Sequence, residues 1–221
     1  MCGFVFLRTS RLINEEELIA CSEKIGNRGP DENKYFHVKD QYNFNICSIH
    51  YLLDISGKKI LQPLNKNPIM LFNGEIYNFD KKKFSADTFY LNSKKSEEKK
   101  QILDGEFSIL KYFLDKNTCE IKIDTFNTKP LFYSINDNFD FGVASYKSAL
   151  EKLDFKNIIK FEPNRRYIFK CTKKVIISKV YKNYNFKFNL IQNKKSLNRW
   201  NEAFIESVRK RAIHGKSNIF V

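Results

Sequence analysis

Glycine occurs only eight times in 221 residues, histidine three times, methionine twice and tryptophan once. So few glycines leave no Gly-rich loop of the kind that cradles a nucleotide phosphate. The histidines, His37, His50 and His214, stand far apart, and none of the five cysteines (2, 21, 47, 119 and 171) forms a CxxC pair. No metal site is therefore expected. The odd cysteine count argues against a disulfide framework and for a reducing cytoplasm. No apolar run approaches the length of about 20 residues that spans a bilayer. The start, Met1-Cys2-Gly3-Phe4-Val5-Phe6, lacks the basic segment of a signal peptide and reads as mature structure. Acidic residues are outnumbered 25 to 39 by Lys and Arg, giving a formal charge of +14. The lysines are scattered along a chain rich in Lys, Asn, Ile and Phe, and there is no Arg-rich arm or nucleic-acid motif. Neither nucleic acid nor membrane is expected as a partner.

What is present is ordinary for a globular chain: 42% hydrophobic and 29% charged residues. The length allows one domain with a sizeable core, or one domain and an appendage. Phe at 21 and Tyr at 11 are abundant, and aromatics favour strands. Asn14 is placed to cap a helix running to about Cys21–Lys24, with Glu15, Glu16 and Glu17 in its first turn. Strands are expected at 2–7, 44–53, 68–73, 166–171 and 174–181, and short helices at 87–93 and 95–103. Four strands over 106–145, separated by turn residues, suggest an antiparallel meander. A polar stretch near 182–195 precedes a helix in which Trp200, Phe204, Ile205, Val208 and Ala212 share a face. A strand is expected to begin at 217–221.

The residue pair Cys2-Gly3 carries potential chemistry. Removal of Met1 would leave a cysteine with a free α-amine of pKa about 7.7–8.0. That amine can take the thiol's proton, directly or through one water, and so replace a catalytic histidine. Six segments then follow in order. They are Met1-Cys2-Gly3-Phe4, Arg28-Gly29-Pro30-Asp31, Gln62-Pro63-Leu64, Phe72-Asn73-Gly74-Glu75-Ile76-Tyr77-Asn78, Leu103-Asp104-Gly105-Glu106-Phe107 and Lys129-Pro130-Leu131-Phe132-Tyr133. Over residues 2 to about 170 this set resembles the glutaminase domain of the asparagine synthetase family, within the class II (N-terminal nucleophile) glutamine amidotransferases.

The resemblance implies an α+β fold, a four-layer αββα N-terminal-nucleophile hydrolase sandwich of two antiparallel sheets. It implies that Cys2 attacks the side-chain amide of glutamine. The Asn73 side chain and Gly74 backbone N–H would hold the oxyanion, each worth roughly a few kcal/mol. Glu75 and Asp87 would receive the α-ammonium, and the backbone around Leu52 and Leu53 would contact the substrate. Read alone, Asn73-Gly74 also fits a hairpin turn, and Asp87 a helix cap. The domain is expected over 2–181. Residues 182–221 then read as a linker plus the first helix and strand of a truncated synthetase domain. ATP and magnesium would belong to that missing half, none being expected in this chain, and the partner would be a synthetase domain or subunit.

Two departures stand out. Matching on Asp54 puts Ile49 where the family carries the arginine that grips glutamine's carboxylate, with His50 the one basic side chain nearby. An Arg-Asp pair has likewise become Ile123-Asp124. Glutamine hydrolysis of doubtful efficiency is one expectation. The alternative is a degenerate, non-catalytic module for folding or docking. Oligomeric state is not legible.

Overall fold

The computed structural model describes residues 2–54, 59–80, 82–93, 102–185 and 197–212. Its contacts divide the chain into a unit of residues 1–184 and a second of residues 185–221.

In the first unit, β1 (Gly3–Thr9) is buried along its whole length. That burial is possible because both of its faces are covered. Phe4 and Phe6 point into one core, Val5 and Leu7 into another. The helix α1 (Glu15–Gly26) starts as expected. Asn14 and Glu17 form a capping box, in which the Glu17 N–H donates to Asn14 Oδ1 (2.9 Å) and the Asn14 N–H to Glu17 Oε2 (3.1 Å). Leu18, Cys21 and Ile25, at helical spacing, bury its inner face. After β2 (Glu32–Lys39) come β3 (Asn45–Leu52) and β4 (Ile69–Ile76). The short helix α2 (Asp87–Asn92) precedes β5 (Gly105–Phe113), β6 (Thr118–Ile123), β7 (Phe132–Ile135) and β8 (Phe141–Ala144). Helix α3 (Lys147–Glu151), β9 (Ile159–Lys160), β10 (Arg165–Cys171) and β11 (Val175–Lys182) complete the unit.

The strands form two sheets, β2-β3-β1-β8-β7-β9 and β4-β5-β6-β10-β11, in which every described pairing is antiparallel. Alternation along the strands separates three cores. Phe4, Phe6, Ile46, Leu71, Leu110, Phe141 and Phe169 fill the space between the sheets. Val5, Leu7, Cys47 and Ile49 pack against α1 and α3. Phe72, Ile76, Phe107 and Ile109 pack against α2. The order is helices, sheet, sheet, helix, the expected αββα sandwich.

The structure alters several expectations. The 106–145 region is not one meander: β5 and β6 pair in one sheet, β7 and β8 in the other. The chain changes sheets at residues 124–131, held by Asp124. Its carboxylate accepts from the Phe107, Phe126 and Thr128 N–H groups (3.1, 2.8 and 3.0 Å) and from the Thr128 hydroxyl (2.6 Å). Four donors on one carboxylate fix that crossing. Strand β2 was not expected, because an edge strand with one exposed side lacks a continuous apolar run. The expected strand at 217–221 and most of the helix at 95–103 lie outside the described residues.

The second unit contains α4 (Asn198–Ala212), where the Trp200 and Phe204 rings stack at 5.4 Å. Trp200, Phe204, Ile205 and Val208 are exposed. No helix among the described residues is long and apolar enough to cross a membrane.

Candidate active site

Cys2 immediately precedes β1 and lies beside the end of β3. The Leu53 N–H donates to Cys2 Sγ at 3.5 Å, and Leu53 O lies 3.8 Å from the same sulfur. Burial pushes the thiol's pKa up, while the Leu53 N–H acts the other way. The Asp87 carboxylate adds a smaller upward push, which brings Cys2 and Asp87 into one electrostatic neighbourhood.

The Arg28–Asp31 turn fixes the strand end that Cys2 touches. The Asp31 N–H donates to Leu52 O (3.1 Å), and the Asp31 carboxylate accepts from the Asp54 N–H (2.7 Å). Gly29 packs flat on this strand; a Cβ there would sit 2.7 Å from Tyr51 O. On the other side of β1, the Phe4 N–H donates to Ser145 Oγ (3.1 Å) and the Ser145 N–H to Phe4 O (3.0 Å).

Asn73 and Gly74 do not form a turn. They lie inside β4, paired with Ser108 and Phe107 of β5, and β4 packs across β1. Gly74 has φ +143°, and a Cβ would lie 2.0 Å from Glu106 O. The Asn73 side chain shares the inward face of β4 with Ile69 and Leu71. It is 1% exposed, and neither its oxygen nor its nitrogen has a hydrogen-bond partner among the described residues. Buried amides left in this state are rare in folded proteins.

Gln62 supports the strand from the side. Its amide pairs with the Phe72 backbone as another strand would, accepting from Phe72 N–H (2.6 Å) and donating to Phe72 O (3.2 Å). Glu75 follows at the end of β4, opposite Glu106, which is paired with Lys129 at 3.5 Å. Asp87 does not cap α2; Ala86 occupies that position and Asp87 is the first helical residue. Its carboxylate accepts from the Thr88 N–H (2.7 Å) and the Ile76 N–H (3.4 Å), tying α2 to the end of β4. Burial raises its pKa, against those two donors, and Glu75 raises it further.

The carboxylate clamp looks different in three dimensions. Ile49 points away from Asn73 into the core beneath α1, so no side chain at that position faces the space between the sheets. The inward positions of β3 are 48, 50 and 52, and Leu52 stands beside the Cys2 contact. His50 is fully buried, and burial together with the Lys34 ammonium depresses its pKa to about 3. It is a neutral imidazole in the working pH range and does not replace an arginine's charge.

Sequence reasoning missed Ser48 and Ser108 as parts of this region, and took Gln62 only as part of the Gln62-Pro63-Leu64 segment. The available signal was a polar residue at an inward position of an otherwise apolar strand, as at Ser108 before Leu110. Among the described residues no group of three His, Cys, Asp or Glu side chains is arranged to hold a metal ion.

A family model described as a glutamine amidotransferase domain matches residues 1–189. A putative glutamine-hydrolysing asparagine synthetase of Methanocaldococcus jannaschii is 30% identical over 119 residues, covering 48% of this chain and 22% of that protein. Asparagine synthetase 1 of Bacillus subtilis, also named as glutamine-hydrolysing, is 28% identical over 170 residues, or 68% of this chain and 26% of its own length. The chain thus spans about a quarter of these curated relatives. Among solved structures, glutamine phosphoribosylpyrophosphate amidotransferase from B. subtilis superposes with a TM-score of 0.60 over 85% of this chain and 50% of the other, at 16% identity. That likeness concerns the fold.

Proposed function

Because the chain belongs to the glutamine amidotransferase domain family, we propose that it hydrolyses glutamine to glutamate and ammonia with Cys2 as nucleophile. The observation that carries this reading is the buried, unpartnered Asn73 amide on the strand packed across β1. It is a hydrogen-bond donor held ready for charge that develops during reaction.

With Met1 removed, the Cys2 α-amine takes the thiol proton and the thiolate adds to the amide carbon of glutamine. The C=O electron pair moves to oxygen, which the Asn73 Nδ2 and the Gly74 N–H stabilise. The intermediate collapses, the C–N bond breaks, and the leaving nitrogen takes the proton held by the amine, departing as ammonia. Water then adds to the γ-glutamyl thioester, and glutamate leaves with the thiol restored. The ammonia goes to a synthetase domain or subunit, consistent with relatives named as asparagine synthetases. ATP and magnesium belong to that partner.

The test is ammonia release from millimolar glutamine by protein whose N-terminal cysteine is confirmed by mass spectrometry. Activity that disappears in Cys2→Ala is expected. The absence of the family arginine, with Ile49 in its place, favours a second reading, a non-catalytic module for folding or docking. No release by the wild type would overturn the catalytic reading for this chain.

Asp87 gives this reading a pH signature. Its raised pKa means that it holds its proton to higher pH than an ordinary carboxyl. The folded protein favours the protonated form, so stability associated with Asp87 is lost as pH rises through its folded pKa. A bound α-ammonium prefers the ionised form. Glutamine binding should therefore strengthen as pH rises through that pKa and release a proton there. Asp87→Asn is expected to raise KM on the order of tenfold, the loss of one charge-assisted hydrogen bond. It should also flatten the acidic limb of kcat/KM, read from initial rates across pH.

A further inference from the structure

Four polar side chains stand at inward positions of the two sheets: His50 on β3 beside Phe4, Ser48 one step further toward the middle of β3 beside Phe6, Asn73 on β4 and Ser108 on β5. Ser48, His50 and Ser108 are fully buried and Asn73 nearly so. Both ring nitrogens of His50, both amide atoms of Asn73 and the two serine hydroxyls have no hydrogen-bond partner among the described residues. Six orphaned atoms in one region are more than packing explains, since each buried orphan costs about 1–3 kcal/mol.

Their chemistry is complementary. The reaction above uses one N–H of Asn73 Nδ2. That leaves Asn73 Oδ1 needing a donor and the second Nδ2 hydrogen needing an acceptor. Ser108 stands directly opposite Asn73 in the β4–β5 register, on the same face, where cross-strand side chains are neighbours. His50 lies on the inward face of β3, in register with Phe4 of β1, the strand that β4 crosses. It is a neutral imidazole, with one nitrogen able to accept a hydrogen bond and the other able to donate one.

We propose that Ser108 and His50 are positioning residues for the oxyanion site, orienting the Asn73 amide so that Nδ2 faces the carbon attacked by Cys2. This rests on the amidotransferase reading. When the substrate is bound, the Ser108 hydroxyl donates to Asn73 Oδ1. His50 accepts the spare Nδ2 hydrogen, directly or through one water, and its own N–H is received by Ser48. An amide so held cannot flip to present its oxygen to the developing anion.

The experiment compares wild type, Ser108→Ala, Ser108→Thr and His50→Gln by kcat and KM for glutamine, with thermal melting as a fold control. The rate of Cys2 alkylation by iodoacetamide is followed in parallel, because that reaction forms no oxyanion. Ser108→Ala is expected to lower kcat about tenfold with KM within about twofold, and to leave alkylation unchanged. Ser108→Thr, which keeps the hydroxyl, should recover most of kcat, and His50→Gln, which keeps an acceptor, should lie between. A wild type that releases no ammonia overturns the underlying reading. Wild-type release with Ser108→Ala kcat within about twofold overturns the positioning role alone. If Ser108→Ala fails to fold, His50→Gln decides by the same two measurements.

Discussion

Replacing Gly74 by alanine is expected to lower kcat/KM for ammonia release by at least about a hundredfold. Two constraints meet at this residue. Its φ of +143° lies in the half of conformational space that only glycine enters freely. A methyl group there would also stand 2.0 Å from Glu106 O and 2.7 Å from Phe107 Cα, both backbone atoms of the paired strand. Neither neighbour can swing aside as a long side chain would, so β4 and β5 must separate locally. Overpacking of this kind costs about 1–3 kcal/mol, and the backbone strain adds to it. The separation would displace Asn73 and the Gly74 N–H, the two donors assigned to the oxyanion. A lower melting temperature with folding retained, together with lost turnover, is the expected pair of results. Full turnover in Gly74→Ala would mean that β4 carries no oxyanion donor.

Much of this architecture could be read from the chain because local signals agreed with it. The Asn14–Glu17 capping box and the buried face of α1 follow from spacing alone. The strands β1, β3 and β4 are apolar runs because both of their faces are covered. The partition of β5–β8 between two sheets could not be read. Turn residues mark where strands end, not which sheet the next strand joins, and the crossing is fixed by Asp124 reaching back to Phe107. The site was legible as far as its ordered motifs carried it. The facing of β3 was not. Counting back from Asp54 selected Ile49, and the sequence did not show that the strand's alternation turns that side chain toward α1. Ser108 escaped notice for a related reason. A serine in a strand is unremarked until the pairing register places it opposite Asn73.

At the opposite end of the sandwich from Cys2, Asp40→Ala is expected to destabilise the fold by about 3–5 kcal/mol. Arg8 Nε and Asp40 Oδ2 lie 2.7 Å apart with both side chains fully buried. Asp40 also accepts from the Tyr42 and Phe44 N–H groups at the β2–β3 hairpin (2.8 and 3.0 Å) and from the Tyr112 hydroxyl of the other sheet (3.3 Å). Arg8 stacks over the Phe44 ring at 3.7 Å and donates to Thr172 O at 2.5 Å. One pair thus joins a hairpin of the first sheet to β5 and the end of β10 in the second. Removing the carboxylate leaves a guanidinium buried without its counter-ion, and the hairpin turn loses its acceptor. At about 2–4 °C per kcal/mol for a domain of this size, the melting temperature should fall by roughly 6–20 °C. A double replacement, Arg8→Met with Asp40→Leu, separates the two parts of this cost. It removes both charges, and one guanidinium nitrogen of Arg8 is already unpartnered, so the native pair is incompletely satisfied. The double variant should therefore be more stable than Asp40→Ala, the remaining deficit reporting the lost hairpin hydrogen bonds. Urea denaturation of both variants measures the difference. Equal stability of the two would show that the isolated charge is tolerated, and that the hairpin bonds alone account for the loss.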